Sequence, residues 1–193
     1  ERWNAGDLEG ARPYWEAITA DSLRADYLAS YAALADVEEA RAAAVALTPG
    51  QAAKKEAAFR LVVKKASALK AGLDLPAAQI EGLRPVTVDA LSHLSKAGRP
   101  DQVAALLKDA AAFLGESDDY APFRDDLAAY RRLAVEDEKA ASSYGAAKAV
   151  EGFDERIAAL ERAEKEQQAF ESSVLAEHRR LGSRKDSLLI AVG

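Results

Sequence analysis

The sequence predicts an all-α protein: antiparallel helical hairpins stacked as a solenoid or as an irregular bundle, followed by long C-terminal helices. Alanine, the strongest helix former, is the commonest residue, with 45 copies among 193. β-Branched and aromatic residues are sparse. Apolar residues recur at helical spacing along most of the chain, and glycine or proline interrupts them where helices are expected to end or begin.

The clearest hairpin lies between Pro85 and Gly115. Pro85 suits a first helical turn, because the N–H group that proline lacks is not used there. Gly98 can adopt the left-handed conformation that ends a helix, and Pro100 begins the next one. Apolar residues line one face of each helix: Val88, Leu91 and Leu94 in the first, and Val103, Leu106, Leu107, Ala110, Phe113 and Leu114 in the second. The short connection predicts antiparallel neighbours.

Shorter helices are predicted before this hairpin. Asp7 is the expected N-cap of one of them, three residues before Gly10. Two more are predicted to begin at Asp21 or Ser22 and at Asp36. The acidic residues that follow Asp36 favour a helix start, because their negative charge is attracted to the positive end of the helix dipole.

A longer helix is predicted from Thr48 and Pro49 to about Lys70. Thr48 is the expected N-cap, and proline is favoured in the first turn. Its predicted inner face is Ala58, Phe59, Val62, Val63, Ala66 and Leu69.

Two long helices are predicted near the C-terminus. One runs from about Pro122 to Ala149, and Gly145 is expected to bend or fray its second half. The other runs from Asp154 to about Leu181. Its inner residues recur at steps of three and four, as in a heptad seam: Leu160, Ala163, Gln167, Phe170 and Val174. We expect this helix to pack on its own domain, and pairing between molecules is the alternative.

The chain is predicted to divide near residue 118. Residues 1–118 form a region of helical-hairpin repeats, and residues 119–193 form a long helical hairpin that packs on it or extends from it. The final residues, SLLIAVG, are apolar and follow Arg184 and Lys185. We expect this tail to dock on the core. The alternative is the stub of a longer apolar segment.

Three segments share one pattern: AGDLEGA from Ala5, LADVEEA from Leu34 and AGRPDQV from Ala97. Each has a small residue at the turn and an apolar or small residue five positions later. Tyr31 also precedes Ala40 by nine positions. These features resemble the tetratricopeptide repeat, a helix pair that recurs about every 34 residues. Further residues match the turn glycine, the alanine and the following apolar positions of that repeat: Gly6, Ala11 and Trp15, and Leu91, Leu94, Gly98, Val103 and Leu107.

The resemblance covers about residues 1–50 and 85–115. It implies stacked helix pairs with a concave face on which an extended or helical peptide binds. Aromatic residues often anchor such interfaces, although a core position is the alternative for each one here. Four of them are the candidate partner contacts: Tyr14, Trp15, Tyr27 and Tyr31.

The sequence offers little for catalysis or metal binding. It has no cysteine and only two histidines, His93 and His178, and it lacks the HExxH motif of zinc enzymes. Adjacent acids such as Asp118 and Asp119 point apart on a helix and make poor catalytic pairs. The GxGxxG, P-loop and GxSxG motifs are also absent from the sequence. We therefore predict no enzyme activity, no cofactor and no metal.

Charge and composition also bear on partners and location. The net charge of -6, with acids and bases mixed, argues against nucleic-acid binding. No apolar run approaches the roughly 20 residues of a membrane-spanning helix, so membrane contact is expected only through segments absent from this chain. The lack of methionine indicates that Glu1 is not a translation start. The lack of cysteine favours an exported bacterial protein of the periplasm or cell envelope, and the cytoplasm is the alternative.

These observations favour a scaffold or adaptor of a bacterial assembly, which binds another protein or a peptide on a helical-repeat surface. The alternative is a structural component of a cell-envelope complex that self-associates through the coiled-coil-like helix at 153–181. Ligand carriage in a helical cavity is a third hypothesis, but no convergent polar residues support it.

Overall fold

Six α-helices and no β-strand make up the described part of the chain in the computed structural model, which confirms the all-α prediction. The model describes residues 7, 10–11, 13–14, 17, 21–69, 75, 80, 82–181 and 187–191. The helices are α1 (Asp21–Val45), α2 (Ala52–Ser67), α3 (Leu83–Lys96), α4 (Pro100–Leu114), α5 (Ala121–Lys148) and α6 (Phe153–Leu181). Short 3₁₀ turns lie at Pro49–Gln51, Asp118–Tyr120 and Leu188–Ala191.

Contacts between Cα atoms divide the chain into two compact units. Unit 1 contains Glu1–His93 and Leu106–Ser117, and unit 2 contains Leu94–Ala105 and Asp118–Gly193. The predicted division of the chain near residue 118 stays a prediction.

One continuous helix, α1, replaces the two helices that were predicted to begin near Asp21 and Asp36. No glycine or proline interrupts this segment, so nothing in its backbone favours a break. Asp36 pairs instead with Lys65 of α2, with 3.4 Å between Oδ2 and Nζ. A single buried stripe crosses the expected break: Leu34, Val37, Ala40 and Ala44.

Two predicted helix starts are confirmed by their hydrogen bonds. The Gly10 N–H donates to Oδ1 of Asp7 at 2.9 Å, so Asp7 is an N-cap. The Thr48 N–H donates to Oε1 of Gln51 at 3.1 Å, just ahead of α2. Both bonds engage backbone N–H groups near a helix start, where the helix itself offers no partner.

The buried face of α2 contains Phe59, Val62 and, against expectation, Lys55. The Phe59 ring is fully buried and meets the Phe113 ring of α4 edge to face, with 6.3 Å between the ring centroids. The Lys55 ammonium donates to the Asp89 carboxylate of α3, 34 residues away. An ion pair therefore makes the buried position of this lysine tolerable.

The α3–α4 hairpin is present as predicted. Gly98 has φ of 63°, and the Arg99 N–H donates to the Leu94 carbonyl at 3.1 Å, which closes α3 with a left-handed turn. The Arg84 guanidinium donates to the Leu114 carbonyl at 2.6 Å. The start of α3 thus lies beside the end of α4, and the two helices are antiparallel.

In unit 2, α5 and α6 form a long antiparallel hairpin, and the C-terminal 3₁₀ turn packs on both helices. The core there contains Ala129, Leu133 and Leu189, with Tyr130, Phe170 and Val174 packed against it. The packing of α6 on its own domain and the docking of the tail are therefore confirmed. α5 continues without interruption through Gly145, with Ala140 and Ala147 buried on either side.

We expect Gly145→Ala to raise the free energy of unfolding by about 0.5–1 kcal/mol, because alanine costs less entropy than glycine in a helix interior. A Cβ added there meets nothing within 4 Å. The matched variant Gly115→Ala is expected to lower the free energy of unfolding by about 1 kcal/mol. The space around Gly115 is equally open, but its φ of 77° is a left-handed conformation that strains alanine. Urea unfolding of both variants checks this, and shifts of the same sign would contradict it.

Candidate protein-binding groove on the α5–α6 hairpin

The aromatic residues chosen from the sequence lie in or before α1. Tyr14 is 68% exposed, and the Tyr31 side chain is half-buried. Trp15 and the side chain of Tyr27 lie outside the described residues. Tyr31 and Ala40, which the repeat pattern places in two successive helices, both lie in α1. The proposed role of these four aromatic residues in partner binding stays a prediction.

The most distinctive surface belongs to the half of the α5–α6 hairpin nearest its connecting loop. We call residues 137–168 the hairpin tip, and the structure describes all of them. Only three of these residues are buried: Ala140, Ala147 and Ala163. The two helices therefore meet through small side chains, and the larger apolar side chains of the tip lie to the sides or at the loop.

Exposed apolar side chains border this alanine contact. Phe153 is 77% exposed, Tyr144 is 51% exposed and Ile157 is 42% exposed. Phe153, Ile157 and Leu160 follow one another at steps of four and three, so they share one face of α6. The tip thus presents a second apolar face beside the heptad seam.

An open groove of about 520 Å³ runs between α5 and α6 on this face. We call it the first groove. Ala140 and Tyr144 of α5 and Ile157, Leu160 and Ala163 of α6 supply its apolar lining. The carboxylate and amide side chains that line it belong to α6: Glu161, Glu164 and Gln167. Such a lining suits an apolar helix better than a small polar ligand, because few polar groups converge on one point.

The charged groups around the first groove differ in whether they have a partner. Glu161 and Glu164 lie one turn apart on α6, and neither forms an ion pair with a cation in the described part of the chain. Glu164 accepts only a long hydrogen bond, 3.4 Å, from the Gln168 amide. At the α5 side, the Lys148 ammonium lies 4.4 Å from the centre of the Tyr144 ring, in cation–π geometry.

A smaller groove of about 310 Å³ lies between the same helices and shares Ala163 with the first. We call it the second groove. Its carboxylate, Glu166, accepts a hydrogen bond from the Ser143 hydroxyl and pairs with Lys139 at 3.2 Å. The bond from Ser143, followed by that from Lys139, lowers the pKa of Glu166 below its ordinary value. Arg162 also lines this groove, so its charges are balanced.

The far end of the hairpin is held by a network of ion pairs. Arg180 donates to Glu177 at 2.6 Å, and its Nη2 lies 3.6 Å from Oδ1 of the fully buried Asp126. Arg132 also donates to Glu177. The bond from Arg180 is the main cause that lowers the pKa of Glu177. These groups join the end of α6 to the first half of α5, which is a structural role.

No family model, curated protein or solved structure matches the chain. The resemblance to the tetratricopeptide repeat therefore stays a prediction. In the described residues, no helix is long and apolar enough to cross a membrane. The same part of the chain holds no group of three or more histidine, aspartate or glutamate residues placed to bind a metal ion.

The sequence contained a signal for the first groove that the heptad pattern obscured. The heptad pattern includes Leu160 but not Ile157, and both residues line the groove. The exposed aromatic residues Tyr144 and Phe153 flank the loop on either side. An apolar stripe on α6 that is wider than the heptad seam at the loop-proximal turns is typical of a helix that packs on more than one neighbour.

Proposed function

We propose that this protein is a non-enzymatic protein–protein interaction scaffold, which binds a partner helix in the first groove. The observation that carries the proposal is the hairpin tip, in which only alanines are buried while Tyr144, Phe153 and Ile157 remain exposed. A third helix laid along this face would bury them and complete a three-helix bundle. Binding of an amphipathic helix in an apolar groove is a common recognition mode.

The length of the groove supports this choice of partner. From Ile157 to Gln167, the first and last α6 residues that line the groove, the axis of α6 rises about 15 Å, at about 1.5 Å per residue. A partner helix of about three turns would span that distance. It would present apolar residues at i, i+3 or i+4, and i+7, which is the spacing that such grooves select.

The proposal is tested by selecting helical peptides that bind the full chain from a displayed library of amphipathic sequences. We expect Tyr144→Ala and Ile157→Ala each to weaken the selected peptides by about tenfold, because both side chains are central apolar contacts. Val135→Ala is the control, because Val135 is 66% exposed on α5 and does not line the groove. A library without binders, or equal losses in all three variants, would contradict the proposal.

A further inference from the structure

We infer that the partner helix of the first groove carries lysine or arginine along one edge of its apolar face, and that Glu161 and Glu164 bind these cations. The inference rests on the proposed function and names the chemistry of the partner. An apolar helix with a basic edge complements both the apolar lining and the negative charge of the groove.

The two carboxylates of the first groove have no counter-charge in the described residues. Glu161 and Glu164 both line the groove and stand three residues apart, where like charges on a helix repel each other. In the described residues no lysine, arginine or histidine forms an ion pair with either of them. A cation from a partner would relieve this repulsion. The groove therefore gains electrostatic complementarity only when a basic helix binds.

The two grooves of the hairpin differ in how their carboxylates are paired. In the second groove, Glu166 is already paired with Lys139 and accepts a bond from Ser143. That groove also contains Arg162. Among the carboxylates that line the two grooves, the two without an ion pair in the described residues, Glu161 and Glu164, thus belong to the groove with the apolar lining. Complementary charge of this kind selects partners and speeds their encounter.

The charges on the two sides of the first groove differ in sign. Both glutamates belong to α6, whereas Lys148, whose ammonium lies over the Tyr144 ring at the groove, belongs to α5. A partner helix would therefore place its basic edge beside α6. The other edge of the partner helix would lie beside α5. That edge would be acidic or neutral, because a cation there would be repelled by Lys148. The charges define an orientation as well as a partner class.

The test uses two synthetic helical peptides with the same leucine stripe, one flanked by lysine and the other by glutamate. Fluorescence anisotropy measures the binding of each peptide to the full chain. We expect the lysine peptide to bind at least about fivefold more tightly, because two exposed ion pairs contribute an effect of that size. Added salt should reduce the difference, since it screens exposed charges.

The double variant E161Q/E164Q is expected to abolish most of the preference for lysine. The matched control is E138Q/E151Q, which removes two exposed charges that do not line the groove. Equal loss of preference in both double variants would show a general effect of net charge and would overturn the inference. Retention of the preference in E161Q/E164Q would also overturn it.

Other outcomes separate this inference from the proposed function. If both peptides bind equally and Ile157→Ala weakens both, the groove binds helices without charge selection, and only the inference fails. If neither peptide binds and light scattering shows a monomer, the proposed function fails as well. If neither binds and the chain is a dimer that Ile157→Glu dissociates, a second copy occupies the groove, and the basic-helix inference is overturned.

Discussion

Replacement of Phe59 by alanine is expected to lower the free energy of unfolding of unit 1 by about 3–5 kcal/mol. The Phe59 ring is fully buried and contacts the Phe113 ring of α4 edge to face. Its removal loses the burial of a large apolar surface and the aromatic contact, and it leaves a cavity between packed helices. This effect is a large fraction of the stability of an ordinary domain.

Urea unfolding followed by circular dichroism measures the loss in Phe59→Ala, and hydrogen exchange of peptides from α1 and α2 assigns it to unit 1. The control is Leu61→Ala, two residues further along α2, where the side chain is 47% exposed. We expect this control to change the stability by less than about 0.5 kcal/mol. Similar losses in the two variants would show that the Phe59 ring is not a core residue.

Replacement of Leu189 by alanine is expected to cost about 2–5 kcal/mol and to loosen the docking of the C-terminal turn. Leu189 is 1% exposed and packs in one cluster with Ala129 and Leu133 of α5. Phe170 and Val174 of α6 lie against the same cluster. The side chain thus joins three elements of unit 2, and a cavity there weakens the contacts of all three.

Hydrogen exchange of peptides from the first half of α5 and the second half of α6 checks this expectation, together with urea unfolding. Leu175→Ala is the matched control, because the Leu175 side chain of α6 is 57% exposed. We expect little change in that variant. Wild-type protection of α5 and α6 in Leu189→Ala would contradict the assigned role of the C-terminal turn.

Helix content and several helix ends could be predicted from the sequence, because local chemistry controls them. Alanine-rich segments form helices through propensity, and Asp7, Thr48 and Gly98 act within a few residues of their positions. The same local reasoning failed where a local signal was weak. Asp36 suggested a helix start, but the buried stripe of α1 continues across this residue. Gly145 likewise does not interrupt α5, which packs along α6.

The candidate site was less predictable. The groove depends on which face of α6 packs on α5 and which stays exposed, and the spacing of Ile157, Leu160 and Ala163 is compatible with either choice. The burial of Lys55 likewise depends on Asp89, which is distant in sequence and close only after folding. Periodicity identifies apolar faces, but it does not state what covers them.

The sequence by itself determined an all-α chain, the α3–α4 hairpin and most of the helix boundaries. Capping residues, prolines and glycines act within about one helical turn, so their effects depend on neighbours that the sequence shows directly. The tertiary structure alone decided that three alanines hold the hairpin tip together. It also decided that Glu166 is paired while Glu161 and Glu164 are not. Those outcomes depend on distances between residues on different helices, and only the packing of the helices sets such distances.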